Sequence, residues 1–247
     1  MSNYWVPLLI VGIGIVGNVL LTTVWGEEHV QSLAVRDTLR IVTYIAAVFP
    51  TLFSYIRAEE RYKKSEKERR KREALDKMRD LLRAAIVKIF EGEDPETIRA
   101  NIMIEDGGEL TILCSINMEF NHDYNIRLAY GHGCAGMAWK RACEAPMSER
   151  WVPVLAPKTQ LSTKRLRDEW HLTDEQIGIT RHVLWILSVP IFQLAGSETK
   201  FLGVLSFDGV GKPLKDVHRL KDHTLHIGCA DVAEYFGSML LENNILN

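Results

Sequence analysis

The feature that most constrains this chain is its uneven distribution of charge. Positions 1–56 carry five charged side chains, Glu27, Glu28, Arg36, Asp37 and Arg40, whereas the next 27, Arg57–Arg83, carry 19. Twelve of those 19 are basic and seven acidic, while positions 84–247 hold 16 basic against 22 acidic residues. The formal net charge of −2 over 247 residues is therefore a cancellation between a near-neutral start, a basic middle and an acidic remainder. One well-mixed globule is not written this way. The part beyond position 84 suffices for one core of ordinary size. Four cysteines without close pairing make no disulfide framework. Widespread disorder is excluded there by the plentiful apolar and aromatic residues.

The apolar start reads as a membrane hairpin. Met1–Gly26 has no charged side chain, and Trp5–Trp25 is mostly Val, Leu, Ile and Gly with a tryptophan at each end. A helix of that length spans roughly 31 Å, the thickness of the bilayer's hydrocarbon core, and tryptophan favours the interface. A cleaved leader would want basic residues before the run, and Met-Ser-Asn-Tyr supplies none. A second apolar stretch, Ile41–Ile56, lies between Arg40 and Arg57 and extends to a span of about 38–56 if both arginines snorkel. The basic segment that follows predicts, by the positive-inside rule, cytoplasmic N- and C-termini and a small outer loop.

Residues 57–90 predict a charged helical stalk. Arg57–Glu73 lacks Pro and Gly and reads as a solvated helix held by pairs four apart, its basic excess suited to anionic lipid headgroups. Its acidic residues are interleaved and Tyr62 is its one aromatic, so a nucleic-acid polymer is not the expected partner. From Leu75 the apolar residues Leu75, Met78, Leu82, Ala85 and Ile89 follow 3,4 spacing. That stripe suits a helix packed on the following domain, a short parallel coiled coil, or both.

Residues 91–247 predict a separate α+β domain. Ile102–Glu105 and Leu110–Asn117 flank a Gly107–Gly108 turn as a hairpin, and Asn125–Tyr130 reads as a third strand. A glycine-rich turn, GHGCAG (131–136), opens a helix to Cys143. Val183–Phe192 and Phe201–Asp208 read as two further strands, and a helix from about Asp216 to Leu241 closes the chain. Hairpin strands with helices segregated around them point to an antiparallel sheet. The stretches GHGCAGMAWKRACEAPM, WILSVPIF and FLGVLSFDG, in that order and spacing, resemble a GAF domain. The resemblance implies an antiparallel sheet with a small-ligand pocket roofed by a variable segment, and a homodimer formed through terminal helices.

The motifs admit several chemistries. GHGCAG matches G-x-G-x-x-G, but no second parallel strand ending in a ribose-binding acid follows, as a dinucleotide fold needs. A glycine-lightened helix N-terminus can still approach an anion. The resemblance also admits a thiol-based reductase through Cys134, although the spacings of Cys114, Cys134 and Cys143 do not reproduce that class, and small buried cysteines are the plainer account. Gly209 stands after Phe207–Asp208 where the cyclic-nucleotide GAF signature differs. His218, His223 and His226 lack an evident carboxylate partner for a metal. The roof, Trp151–Arg181, mixes stacking rings with arginines. The candidate ligand-binding residues are Tyr130, Gly133, Cys134, Trp151 and Arg181; no catalytic constellation, metal set or cofactor is identified.

The sequence thus predicts a membrane-anchored sensory protein. It would bind a nucleotide or metabolite and pass its state through the stalk, with lipid and a second copy of itself as partners. The alternative of a different class is a ligand-gated effector whose hairpin oligomerises and disrupts the bilayer.

Overall fold

The computed structural model describes residues 33–118, 122–195, 198–243 and 245. The chain divides into two units, Met1–Arg69 and Arg70–Asn247. In the first, the described residues are helical and belong to α1, Leu33–Ile89, which continues into the second. Its solvated face carries ion pairs one turn apart: Glu59 with Lys63 at 2.7 Å, Glu66 with Arg69 at 2.7 Å, Asp76 with Arg79 at 2.8 Å and Asp80 with Arg83 at 2.9 Å. Each is exposed and contributes a few tenths of a kcal/mol at most. Among the described residues no helix is long and apolar enough to cross a membrane, so the expected span at 38–56 finds no support there. The expected span at about 5–25 lies outside the described residues.

The second unit is built on one six-stranded sheet in the order β3-β2-β1-β6-β5-β4, every neighbouring pair antiparallel. The strands are β1 (Ile98–Asp106), β2 (Glu109–Ile116), β3 (Leu128–Ala129), β4 (Val154–Ala156), β5 (Val183–Ala195) and β6 (Glu198–Val210). The helices are α2 (Gly133–Glu144), the short α3 (Thr163–Asp168) and α4 (Asp174–Ile179), and α5 (His223–Glu242). This is the predicted α+β class with an antiparallel sheet. A dinucleotide fold, which needs parallel strands, is absent from it.

Period-two alternation sends the sheet's two faces to different tasks. Ile98, Ala100 and Ile102 of β1, Leu187, Val189 and Ile191 of β5, and Leu205 and Phe207 of β6 are buried in the larger core. There they meet Met78, Leu82, Ile86 and Ile89 of α1 and Leu225, Ala233, Phe236 and Leu240 of α5. The 3,4 stripe of α1 is therefore spent on its own domain, each large side chain adding about 1.5–3 kcal/mol of burial. The opposite face carries a smaller core with Met103, Leu128, Cys134, Ala138, Val154 and Val204.

Several boundaries differ from the sequence expectation. β1 starts four residues earlier, at Ile98, because Arg99 and Asn101, which look like loop residues, sit in register on the second face. The third strand contracts to Leu128–Ala129. The roof hides β4, α3 and α4, each too short to carry a periodic signal. Gly136 explains the glycine-rich turn: a Cβ there would lie 2.4 Å from the Ala129 carbonyl oxygen, so α2 approaches β3 at a distance no other residue permits.

Candidate functional site

Between the second sheet face, α2 and the roof lies a cavity of about 580 Å³, counted with its open mouth. Apolar walls come from Met103, Ile112, Ile126, Leu128, Leu172 and Ile186. A bulge in β1–β2 leaves Leu113 as the extra residue, bringing Ile112 opposite Met103 and onto this wall.

The polar part follows from strand register. Asn101 pairs with Ser206 on one side and Ser115 on the other, and Ser206 pairs with Ser188, giving one polar row across β5, β6, β1 and β2. All four are buried. The Ser188 and Ser206 hydroxyls bond each other at 2.8 Å. Asn101 Nδ2 donates to the sulfur of Met118, at 3.6 Å, and among the described residues Asn101 Oδ1 and Ser115 Oγ have no hydrogen-bond partner. Of the row, Asn101 and Ser206 line the cavity.

Two residues along β1, on the same face, Arg99 pairs with Asp208. The Arg99 Nε–H donates to Asp208 Oδ1 at 2.5 Å, and its two terminal nitrogens donate to Asp123 at 3.2 and 2.8 Å. These three residues are 1 to 4% exposed. Burial opposes the guanidinium's charge, but Asp208 and Asp123 outweigh it and raise its pKa. Burial raises the Asp208 carboxyl above its ordinary value in spite of Arg99. His182 stands at the rim, its Nε2 3.0 Å from Arg99 Nη1 and 3.4 Å from Asp123 Oδ2.

The roof supplies Lys158, just after β4 and only 8% exposed. Its Nζ donates to the carbonyl and hydroxyl oxygens of Thr180, and among the described residues no carboxylate lies within ion-pair distance. Burial pulls its pKa down to about 8, against the raising fields of Asp208 and Asp123. At the start of α2, Gly133 N–H donates to the Trp170 carbonyl at 2.7 Å and Gly136 N–H to that of His132 at 3.0 Å. The N–H groups of Cys134 and Ala135 between them have no partner among the described residues, and both residues line the cavity.

Of the residues singled out from the sequence, Gly133 and Cys134 line the cavity. Tyr130, Trp151 and Arg181 are not among its walls. The Tyr130 ring meets Trp139 edge-on at 5.1 Å and its hydroxyl donates to Glu144. Trp151 packs on Phe192 at 4.4 Å. Arg181 is exposed, one residue from Thr180 and His182, which do reach the site. The Cys134 thiol donates to the Val154 carbonyl at 3.1 Å, and burial pushes its pKa up to about 12, the reverse of an activated thiol. Sequence reasoning passed over Arg99, Asn101, Asp123 and Lys158. Arg99 and Asn101 left a signal, two polar residues on alternate positions of an apolar strand; Lys158 left none.

No family model matches the sequence, and no curated protein matches it either. Solved structures resemble it distantly. The GAF domain of a phosphoenolpyruvate-protein phosphotransferase from Coxiella burnetii is 15% identical, with 72% of this chain and 95% of that one covered at a TM-score of 0.43. A GAF domain/HD domain protein from Geobacter sulfurreducens is 13% identical, covering 68% and 98% at 0.40. A far-red cyanobacteriochrome photoreceptor is 12% identical, covering 75% and 98% at 0.44. At these TM-scores the likenesses establish neither family nor function.

Proposed function

We propose that this chain is a membrane-anchored sensory protein whose second unit, a GAF-type α+β domain, binds a small molecule in the cavity beneath the roof. The observation that carries this reading is the buried Asn101, whose Oδ1 has no partner among the described residues while the residue lines the cavity. An orphaned buried polar atom costs about 1–3 kcal/mol, a cost that a ligand bonded to it removes. Membrane attachment is supported by exposed apolar side chains on one helical stretch. Val48, Leu52, Phe53, Tyr55 and Ile56 are 45 to 67% exposed just before the basic run, and such a patch suits lipid rather than water. Transmission through α1 is supported by the packing of Met78, Leu82, Ile86 and Ile89 against the sheet face opposite the cavity. The chain acts by binding, without catalysis, as a homodimer with both termini cytoplasmic.

Native mass spectrometry of the purified 247-residue chain tests the central claim. A small molecule retained by the wild type and lost from Asn101→Leu supports it. No retained molecule, together with no thermal stabilisation by any member of a broad metabolite panel, refutes it.

A further inference from the structure

The geometry points to a ligand class: a small, uncharged ring bearing an amide-type edge, a carbonyl oxygen beside an N–H, and not a phosphate or a carboxylate. This rests on the ligand-binding reading above and adds what the pocket selects.

Charge comes first. The ionised groups at the cavity are two carboxylates, Asp123 and Asp208, against one guanidinium, Arg99, and one ammonium, Lys158. They cancel, so an anion would enter a neutral, buried site already holding two carboxylates. The fork that ordinarily receives a phosphate or carboxylate is Arg99, and both its edges are committed, Nε to Asp208 and the terminal nitrogens to Asp123. An anion would have to break a buried ion pair to reach it.

The unspent hydrogen-bonding groups then define the complement. Lys158 has spent two of its three N–H donors, both on Thr180, and the Cys134 and Ala135 N–H groups at the start of α2 are unpaired among the described residues. These donors call for an acceptor oxygen. Asn101 Oδ1 has no partner among the described residues, which calls for a donor. One neutral group that offers both on adjacent atoms is an amide or lactam. The walls of Met103, Ile112, Ile126, Leu128, Leu172 and Ile186 suit the flat apolar ring carrying it. Ser206, another polar side chain of the floor, shares one hydrogen bond with Ser188.

The test uses matched probes on the 247-residue chain, read by thermal shift and isothermal titration calorimetry. Nicotinamide and nicotinate share a ring and differ in amide against carboxylate; hypoxanthine and inosine monophosphate differ by a ribose phosphate. The expected result is saturable stabilisation by nicotinamide or hypoxanthine and at least tenfold weaker binding of the charged counterpart. Asn101→Leu and Lys158→Met should each weaken the amide probe tenfold or more while the ligand-free protein melts no lower than wild type. The matched pairs on the wild-type chain decide the question even if a variant fails to fold. Tighter binding of nicotinate or inosine monophosphate overturns the ligand class and leaves the binding reading standing. Undiminished amide binding by a folded Asn101→Leu also overturns it. No binding by any probe overturns the class, and the binding reading falls with it only if native mass spectrometry also finds nothing retained.

Discussion

Replacing Arg99 with methionine tests the buried charge cluster most directly. The side chain is 1% exposed and its removal leaves Asp208 and Asp123, both nearly fully buried, without their shared cation. Truncating one member of a buried pair typically costs about 3–5 kcal/mol, and here two carboxylates lose their partner, so the upper end is expected. For a unit of this size that corresponds to a fall in melting temperature of roughly 10–20 °C. The pH dependence carries a sign. Without Arg99 the Asp208 carboxyl, which burial already pushes up, loses the cation that opposes that rise and is favoured in its protonated form in the folded state. The folded variant then binds more protons than the unfolded one, so its stability falls as pH rises through the Asp208 titration. Burial already holds Asp208 above its ordinary 3.8 in the wild type. The gap between Arg99→Met and wild type must therefore be widest at pH 8 and narrow at pH 5. Urea denaturation followed by circular dichroism at both values measures it. Adding Asp123→Asn and Asp208→Asn to the variant should restore most of the loss. A deficit below about 1 kcal/mol at pH 8, or a gap that does not narrow on acidification, refutes the assignment of this cluster as a coupled, buried unit.

Brief alkylation of the native protein at pH 8 should label the exposed Cys143 and spare the buried Cys114, Cys134 and Cys229, whose thiols burial pushes up to about 12; peptide mass spectrometry showing Cys134 labelled as fast as Cys143 would reverse the view of it as inert. Gly136→Ala places a Cβ 2.4 Å from the backbone oxygen of Ala129 and should lower the unfolding free energy by about 1–3 kcal/mol or more, read from urea denaturation, an unchanged midpoint arguing against the α2–β3 contact. Gly209→Ala meets the Trp185 indole at 2.0 Å and should cost a similar amount, again read from the urea midpoint. Lys158, lowered from 10.5 to about 8, is protonated more in the unfolded than in the folded chain between those values, so stability should rise with pH across that window, by at most about 3 kcal/mol. Lys158→Met should remove that rise; a pH profile identical to wild type would show that the lysine is not desolvated.

What was legible in the sequence had a period or a motif. The hairpin around Gly107–Gly108, the two long strands and the stripe of α1 all repeat at spacings that local geometry dictates. The site was half legible. Gly133 and Cys134 fall within a motif and line the cavity, whereas the chemistry of the Trp151 and Arg181 side chains says nothing about their direction. Trp151 spends its ring on Phe192. Lys158 could not have been found, because its burial depends on Thr180, 22 positions later, folding back over it. Asp123 is a similar case, brought to Arg99 by a connection with no pattern of its own.

The sheet itself explains why function and stability separate so cleanly in this fold. Alternation places Ile98, Ala100 and Ile102 on one face and Arg99, Asn101 and Met103 on the other, so six consecutive residues serve both purposes without compromise. The face against α1 and α5 is apolar and contributes the burial that holds the unit together. The other face can therefore carry a buried ion cluster, an amide oxygen with no partner among the described residues and a desolvated lysine, each a net cost on its own. Apolar side chains of similar size would stabilise those positions better, as Lys158→Met and Asn101→Leu are expected to show. Costly groups gathered in one cavity, on a sheet stabilised from its far side, have a physical rationale if something that binds there completes them.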